Sequence, residues 1–431
     1  MAQYVPAAPM RAPPLMSEAH RGALALVRSG TSGVLVHVYT AVDMASVCAA
    51  LGEPICIECI VLHAWSLRPA DTGAFFAAIA HNTTLTELAC AVGCDMHTIQ
   101  MCLYAQSYGA RIDTLNLCGI HAPPAALNLD QVLARNTRIT HVNMGLCRFG
   151  DAAAVALAEV LRHNTTMTHL EVDGNDLTAH GIAVLGDALG GNTTLATLDL
   201  SDNFMESAGV TEIAHALRRN TALTALHLTA VRCGSDACTA LTDALRAPSS
   251  RLNRLDVRGN AFGDAGLDAF SELLTSGQST LRTLYVGNTA ITLTGIATFA
   301  RALASATALT ELDLRGTVAD TEPGALALCA ALRVNTTLEW LHMDLPVTMS
   351  AAMTAGFGDM LRHNFVIWSI PHCVAFRREL CARYRRHPLL RAVVRLRIMC
   401  QEGRAVCNDP FLVPLFVCMP LWVVRMLCLL I

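Results

Sequence analysis

The chain has 431 residues and a formal net charge of −4; 15% of its residues are charged, 53% are hydrophobic and 5% are aromatic. That balance excludes intrinsic disorder, which needs low hydrophobicity with high net charge, and recognition of nucleic acid through bulk positive charge. The 31 basic residues are all Arg, so enzymes that depend on a P-loop, Schiff-base or kinase lysine are excluded together.

In chain order, residues 1–33 read as a flexible segment. Met1 to Gly30 holds no unbroken apolar stretch behind a basic start, so no secretory signal is expected. Seventeen Cys without regular spacing, in a chain too large to need a disulfide framework, point to a reducing compartment and a cytoplasmic location. Cys56-x-x-Cys59, with His63 nearby, is the one metal-like spacing. The two cysteines interleave with Ile57, Ile60 and Leu62, the apolar positions of a strand, and no second pair follows at that interval. They read as small thiols in a core rather than as zinc ligands.

From Val34 a repeat takes over. Its apolar anchors run Ile60, Leu88, Leu115, Val142, Leu170, Leu198, Leu226, Leu255, Leu284, Leu312, Leu341 and Ile370, with steps of 27 to 29 residues. Each unit reads as a short strand followed by a helix. In Leu195-x-x-Leu198-x-Leu200 the period of two puts Leu198 and Leu200 on one face. Around Ala208 to Arg219, Val210, Ile213 and Leu217 form one stripe at helical spacing. Asp151, Ser207, Ser235, Asp264 and Thr321 are expected to cap the helix starts. Asn82, Asn136, Asn164, Asn192, Asn220 and Asn335 stand at the helix ends, where Asn tolerates a left-handed stop. The sequons at Asn82, Asn164, Asn192 and Asn335 thus have a structural explanation without glycosylation.

Five residues after the anchor stand Cys147, Asn175, Asn203, Asn260, Thr289 and Thr317, side chains able to serve turn backbone, with Val231 as an exception. The resulting L-x-x-L-x-L-x-x-[NCT]-x-L pattern resembles the ribonuclease-inhibitor-like class of leucine-rich repeats over about Val34 to Ile370. The resemblance implies an α/β fold, a leucine-rich-repeat solenoid shaped as a horseshoe, with parallel strands inside and helices outside. Residues 34–371 would hold about eleven to twelve such repeats. The fold class hosts many functions and names no partner.

Alternation along the strands places the residues flanking each anchor on the concave face. They are His169, Glu171 and Asp173, then Thr197, Asp199 and Ser201, then His227, then Arg254, Asp256 and Arg258, then Tyr285. Glu311, Asp313 and Arg315 follow, and Trp340, His342 and Asp344 close the series. Glu171, Asp199, Asp256 and Asp313 form an acid ladder broken by His227, Tyr285 and His342. Such a face suits docking of a protein with basic patches, Tyr285 and Trp340 serving as aromatic anchors. On this reading, replacing Asp199 and Asp256 by Ala slows association without unfolding the solenoid. The His and carboxylate column alternates with Thr and Ala and outlines no pocket, so neither metal binding nor acid–base catalysis is expected from it. No catalytic motif is found. No catalytic residue, metal, cofactor or small-molecule substrate is assigned.

After Ile370 the repeat phase is lost. Between His372 and Ile431 ten Arg stand against Glu379, Glu402 and Asp409, a net of +7 that leaves −11 on the rest. Residues 372–431 read as a basic, then apolar, helical cap that shields the open end of the array. Two alternatives share the segment. Met419-Pro420-Leu421-Trp422 resembles the Leu-Pro opening of an F-box or the end of a SOCS-type box, which implies the substrate receptor of a ubiquitin ligase. Residues 411–431 also suggest a tail anchor, disfavoured because the charge-free run before Arg425 is shorter than the roughly 20 residues a bilayer needs. The expectation is a non-enzymatic scaffold that binds a protein partner, with nucleic acid not expected and the membrane not favoured.

Overall fold

The sequence period becomes a strand–helix pair stacked along one axis. The computed structural model describes residues 26–28, 34–38, 57–62, 69–90, 111–120, 127–344 and 350–364, with single positions at 48, 94, 99, 100, 102 and 103. One 13-stranded sheet follows chain order from end to end. Leu26–Arg28 runs antiparallel to Val34–Val38, and every later pairing is parallel. The fold is an open leucine-rich-repeat solenoid of alternating strands and helices. Residues 365–431, with Ile370 and the segment expected as a cap, an adaptor box or a tail anchor, lie outside the described residues. So do Cys56 and His63. Among the described residues, no helix is long and apolar enough to cross a membrane.

Register is set by the anchors. Ile60 pairs with Leu88, Leu88 with Leu115, and the series continues without a slip through Leu312 and Leu341. The reason is that a one-residue slip would turn each apolar anchor to the open face. Leu195, Leu198 and Leu200 are wholly buried, and so are Val210 and Ile213 of the helix Glu206–Leu217 that covers them. One continuous cluster of such residues joins strands and helices along the array. Burying each Leu or Ile contributes roughly 1.5–3 kcal/mol, spread evenly over the repeats.

Two polar seams hold the turns. At the strand exits, Asn203 donates through Nδ2 to the carbonyls of Val172 (3.0 Å) and Leu200 (2.9 Å). Its Oδ1 accepts from the amides of Asn175 and Leu177 at 3.0 Å. Thr289 and Thr317 keep one of these bonds, donating to the carbonyls of Val286 and Leu314. At the strand entries, Asn192 donates to the Leu161 carbonyl (2.8 Å) and accepts from the amides of Thr194 (3.0 Å) and Leu195 (2.8 Å).

The helix-end Asn residues work differently from the expectation. Asn164, Asn192 and Asn364 have φ of −76°, −74° and −90°, extended rather than left-handed. What stops the helix is the side chain, which bonds the preceding repeat and the next turn at once. With Nδ2 spent inside the wall, Asn164, Asn192 and Asn335 have no free amide for a glycan in the folded chain. Left-handed positions recur instead four residues after the anchors, at Gly119, Leu146, Gly174, Asp202, Ala230, Gly259, Asn288 and Gly316, with others such as Arg148, Asp176 and Arg232 two residues further on.

The capping assignments also change. Asp151 and Asp264 sit inside the first turn and reach forward to the next repeat. Their carboxylates accept from the amide and hydroxyl of Thr178 and of Thr292. Ser207 likewise donates to Asp236 of the next repeat. Thr178, Thr292 and Ser350 are the side chains that cap their own helices, while Ser235 and Thr321 make no side-chain cap bond. A helix start stacked beside another finds its nearest partner across the repeat boundary.

Candidate functional site

Because the helices cover one face of the sheet, the residues flanking the anchors share the other. His169 and Glu171, Thr197 and Asp199, and Ala225 and His227 stand in successive register. Arg254 and Asp256, Thr283 and Tyr285, Glu311 and Asp313, and Trp340 and His342 continue the two columns. Asp173, Arg258, Arg315 and Asp344 stand just beyond the strand ends of their own repeats. Neighbouring strands are about 4.8 Å apart, so the candidate residues stand in adjoining columns along that face.

That surface divides by charge. Glu171, Asp173, Asp199 and Asp202 gather on two adjacent repeats, and no arginine pairs with them among the described residues. Burial pushes the carboxyls of Glu171, Asp173 and Asp202 up, and the neighbouring Asp199 charge pushes them further. Asn143 donates to Glu171 (2.5 Å), and His141 stacks on His169 with ring centroids 4.0 Å apart. Burial and the nearby His141 hold His169 below the usual histidine range. His141 and Asn143 flank the anchor Val142, so the rule that selected His169 and Glu171 identifies them too when begun one repeat earlier. Asp202 lies at the turn beyond Asp199, outside that rule.

Three repeats further along, the ladder changes character. Asp256 and Asp313 are not open acids: each is 1% exposed. The guanidinium of Arg258 closes on Asp256 through Nε (3.0 Å) and Nη2 (2.6 Å). Arg315 closes on Asp313 with the same two distances, 3.0 and 2.6 Å. Arg258 also stands 3.5 Å from Asp313, and His227 stands 3.9 Å from Asp256. Burial alone would raise the Asp256 carboxyl. The hydrogen bonds from the Arg258 guanidinium and amide, with the His227 ring nearby, outweigh it and hold the group well below the usual carboxylate range.

The expectation that replacing Asp199 and Asp256 by Ala leaves the solenoid folded meets a structural cost at Asp256: alternation assigned it to the open face, but the arginine two residues on folds back over it. Beside this pair, Arg254 donates to the Tyr285 hydroxyl (2.7 Å), which donates to Glu311 (2.7 Å), and His342 meets the same Glu311 oxygen at 3.2 Å. Burial and the bond to Glu311 push the Tyr285 phenol up to about 12. Arg254 and Arg258 both lie over the Tyr285 ring, 4.9 and 5.0 Å from its centroid. Trp340 is 41% exposed at the end of this patch, and Asp344 accepts from the Gly316 amide.

The patch is a set of guanidiniums fixed in orientation, with aromatic rings between and beside them. Among the described residues, no group of three or more His, Cys, Asp or Glu converges in a way that could hold a metal ion.

Four stretches, residues 135–158, 163–186, 191–214 and 250–271, match the family model described as Leucine Rich repeat. The chain thus carries leucine-rich repeats. No curated protein matches it. Among solved structures it is similar to the leucine-rich repeat-containing protein LegL7 of Legionella pneumophila, at 16% identity and a TM-score of 0.44 over 74% of this chain and 96% of that one. It is also similar to a chain of the yeast Rad7 and Elc1 complex, at 14% identity and a TM-score of 0.43 over 73% and 87% of the two chains. The tropomodulin C-terminal domain of Caenorhabditis elegans matches at 17% identity and a TM-score of 0.30, over 40% of this chain and 97% of that one.

Proposed function

We propose that this chain is a non-enzymatic scaffold that docks a protein partner on the open, concave face of its sheet. The observation that carries the reading is the clamped arginine platform. Arg258 and Arg315, held by buried Asp256 and Asp313, offer their outer N–H groups on the Tyr285 side of the face, and the exposed Trp340 stands opposite Glu311 on the next strand. Tyr, Trp and Arg are the residue types on which binding energy concentrates. A side chain already held in place loses little freedom when a partner arrives. The acidic end at Glu171, Asp173 and Asp199 gives the surface a polarity, so the partner reads as a protein with basic residues toward that end and acceptor groups toward the arginines.

The cytoplasmic reading is supported by the described cysteines, all free thiols, and by sequons whose amides are structural. The ubiquitin-ligase and tail-anchor readings depend on 411–431, and no described residue favours either.

The test captures partners on the full chain, identifies them by mass spectrometry, and measures each purified partner by surface plasmon resonance. Trp340→Ala is expected to speed dissociation about tenfold, and Asp199→Asn to slow association most at low salt. A partner whose kinetics neither variant alters, nor Arg315→Ala, docks elsewhere and overturns the assignment.

A further inference from the structure

Along the edge where the chain enters its strands, an Asn six residues before the anchor recurs. Its side-chain oxygen accepts two backbone amides: those of Arg138 and Ile139 at Asn136, of Ala222 and Leu223 at Asn220, and of Thr337 and Leu338 at Asn335. Between Asn220 and Asn335 the seam breaks for three consecutive repeats, where the same place holds Ser249, Gln278 and Ala306.

Only part of the lost bonding is replaced. The Leu281 amide donates to the Ser279 hydroxyl at 3.2 Å. The amides of Arg251, Leu252, Ala308 and Leu309 have no acceptor among the described residues. Of these residues Leu252 and Leu309 are wholly buried, and buried backbone N–H groups left unpaired are rare in folded proteins.

A groove of about 600 Å³ lies at this break, lined by residues of four repeats, including Ser250, Arg251, Arg282 and Ala308. Ser250 is 4% exposed, and its hydroxyl is the one buried side-chain polar atom without a partner among the described residues. Arg251 and Arg282 are exposed, and neither is ion-paired among the described residues. Glu339 lines the far end, two repeats beyond Arg282, which confines the positive end to Arg251 and Arg282.

Two guanidiniums on adjacent repeats, a spare hydroxyl and unpaired amides are donors that share a lack of acceptors. We propose that this groove is an oxyanion site for a phosphate group, which supplies the acceptor oxygens that the missing Asn side chains supply elsewhere. Guanidinium forks match phosphate oxygens in pairs, and an oxyanion at the Ser250 end meets both arginines, the Ser250 hydroxyl and the amides of that repeat, while the amides of Ala308 and Leu309 lie two strands, about 10 Å, further on. The phosphate comes either free or as a phosphorylated side chain.

The full chain is titrated calorimetrically with inorganic phosphate, with a phosphoserine peptide and with its unphosphorylated counterpart. Both phosphate-bearing ligands are expected to bind and the plain peptide not to. Tighter binding of the phosphopeptide than of phosphate assigns the source to a modified side chain, and equal binding assigns it to the free anion. Arg251→Ala with Arg282→Ala is expected to weaken binding by about tenfold or more. Arg138→Ala, at the matching place in a repeat that keeps its Asn, leaves binding unchanged.

Ser249→Asn with Ala306→Asn restores the seam. It is expected to abolish binding while raising the urea midpoint, which separates loss of the site from loss of the fold. The proposal is overturned by absence of binding to both phosphate ligands, or by affinity unchanged in the Arg251 and Arg282 variant. Loss of binding on Arg315→Ala alone, which would place the anion on the open face, also overturns it.

Discussion

A carboxylate that is 1% exposed keeps its charge only if cations and donors replace the water it has lost, and Asp256 finds them in the guanidinium and backbone amide of Arg258. Removing one member of a buried pair costs about 3–5 kcal/mol. Arg258 is a third exposed, so its loss should fall near the lower end. Arg258→Ala is expected to destabilise the chain by about 3 kcal/mol, read from urea midpoints. Arg162→Ala, which breaks only exposed pairs with Glu159 and Asp187, should cost less than about 1 kcal/mol.

The acids divide in their pH response. Asp256 is depressed on folding, so its contribution is present above the unfolded carboxylate value of about 4 and is lost as pH falls below it. Glu171, Asp173 and Asp202 are raised by burial and then by Asp199. Their folded forms hold protons more tightly, so their penalty grows as pH rises above the unfolded value of about 4, is full above their folded values, and is relieved as pH falls back toward about 4. Asp199→Asn is therefore expected to raise the urea midpoint at pH 7 and to lose that advantage as pH approaches 4. A midpoint difference constant across that range would remove Asp199 from the account.

At the scale of the element, stability depends on turns that are completed by neighbours. Asn192 satisfies one carbonyl and two amides from a buried position. Asn192→Ala is expected to cost about 3 kcal/mol in a urea titration, since the penalty for leaving buried groups unpaired outweighs the modest worth of each bond. The left-handed turn gives the opposite sign. Leu146 holds φ of 58°, a conformation that costs an L side chain roughly 1–2 kcal/mol. The matching positions of the adjacent repeats are Gly119 and Gly174. Leu146→Gly is expected to stabilise by about 0.5 kcal/mol, less than the full strain because glycine also frees the unfolded chain.

Over the whole molecule, each repeat touches only its neighbours, so damage should stay local. Hydrogen exchange on Asn192→Ala is expected to show protection lost first in the repeats around residues 161–200, with the amides near Leu312 and Leu341 retaining theirs. Uniform loss would mean that the array unfolds as one unit. Much of this architecture was legible in the sequence. The anchors from Ile60 to Leu341 are the in-register residues of the sheet, because a spacing of 27 to 29 residues leaves room for only one strand, one helix and two turns.

The candidate surface was legible by column but not by role. Alternation put Asp256, Asp313, Arg258 and Arg315 on the open face. It could not tell that each arginine folds onto the acid two residues before it, since that depends on the path of the backbone beyond the strand.

The repeat length, the order and parallel run of the strands and the set of buried anchors were determined by the sequence alone, because a local apolar period fixes which face of every element must leave water. The tertiary structure decided which polar residues are spent and which are free. Only stacking reveals that Asp151 serves Thr178, that Asn192 serves Leu161, and that the amides beside Ser249 and Ala306 lack the oxygen their neighbours have. Hydrogen bonds are satisfied by whatever lies about 3 Å away, and in a solenoid that partner belongs to the next turn of the chain.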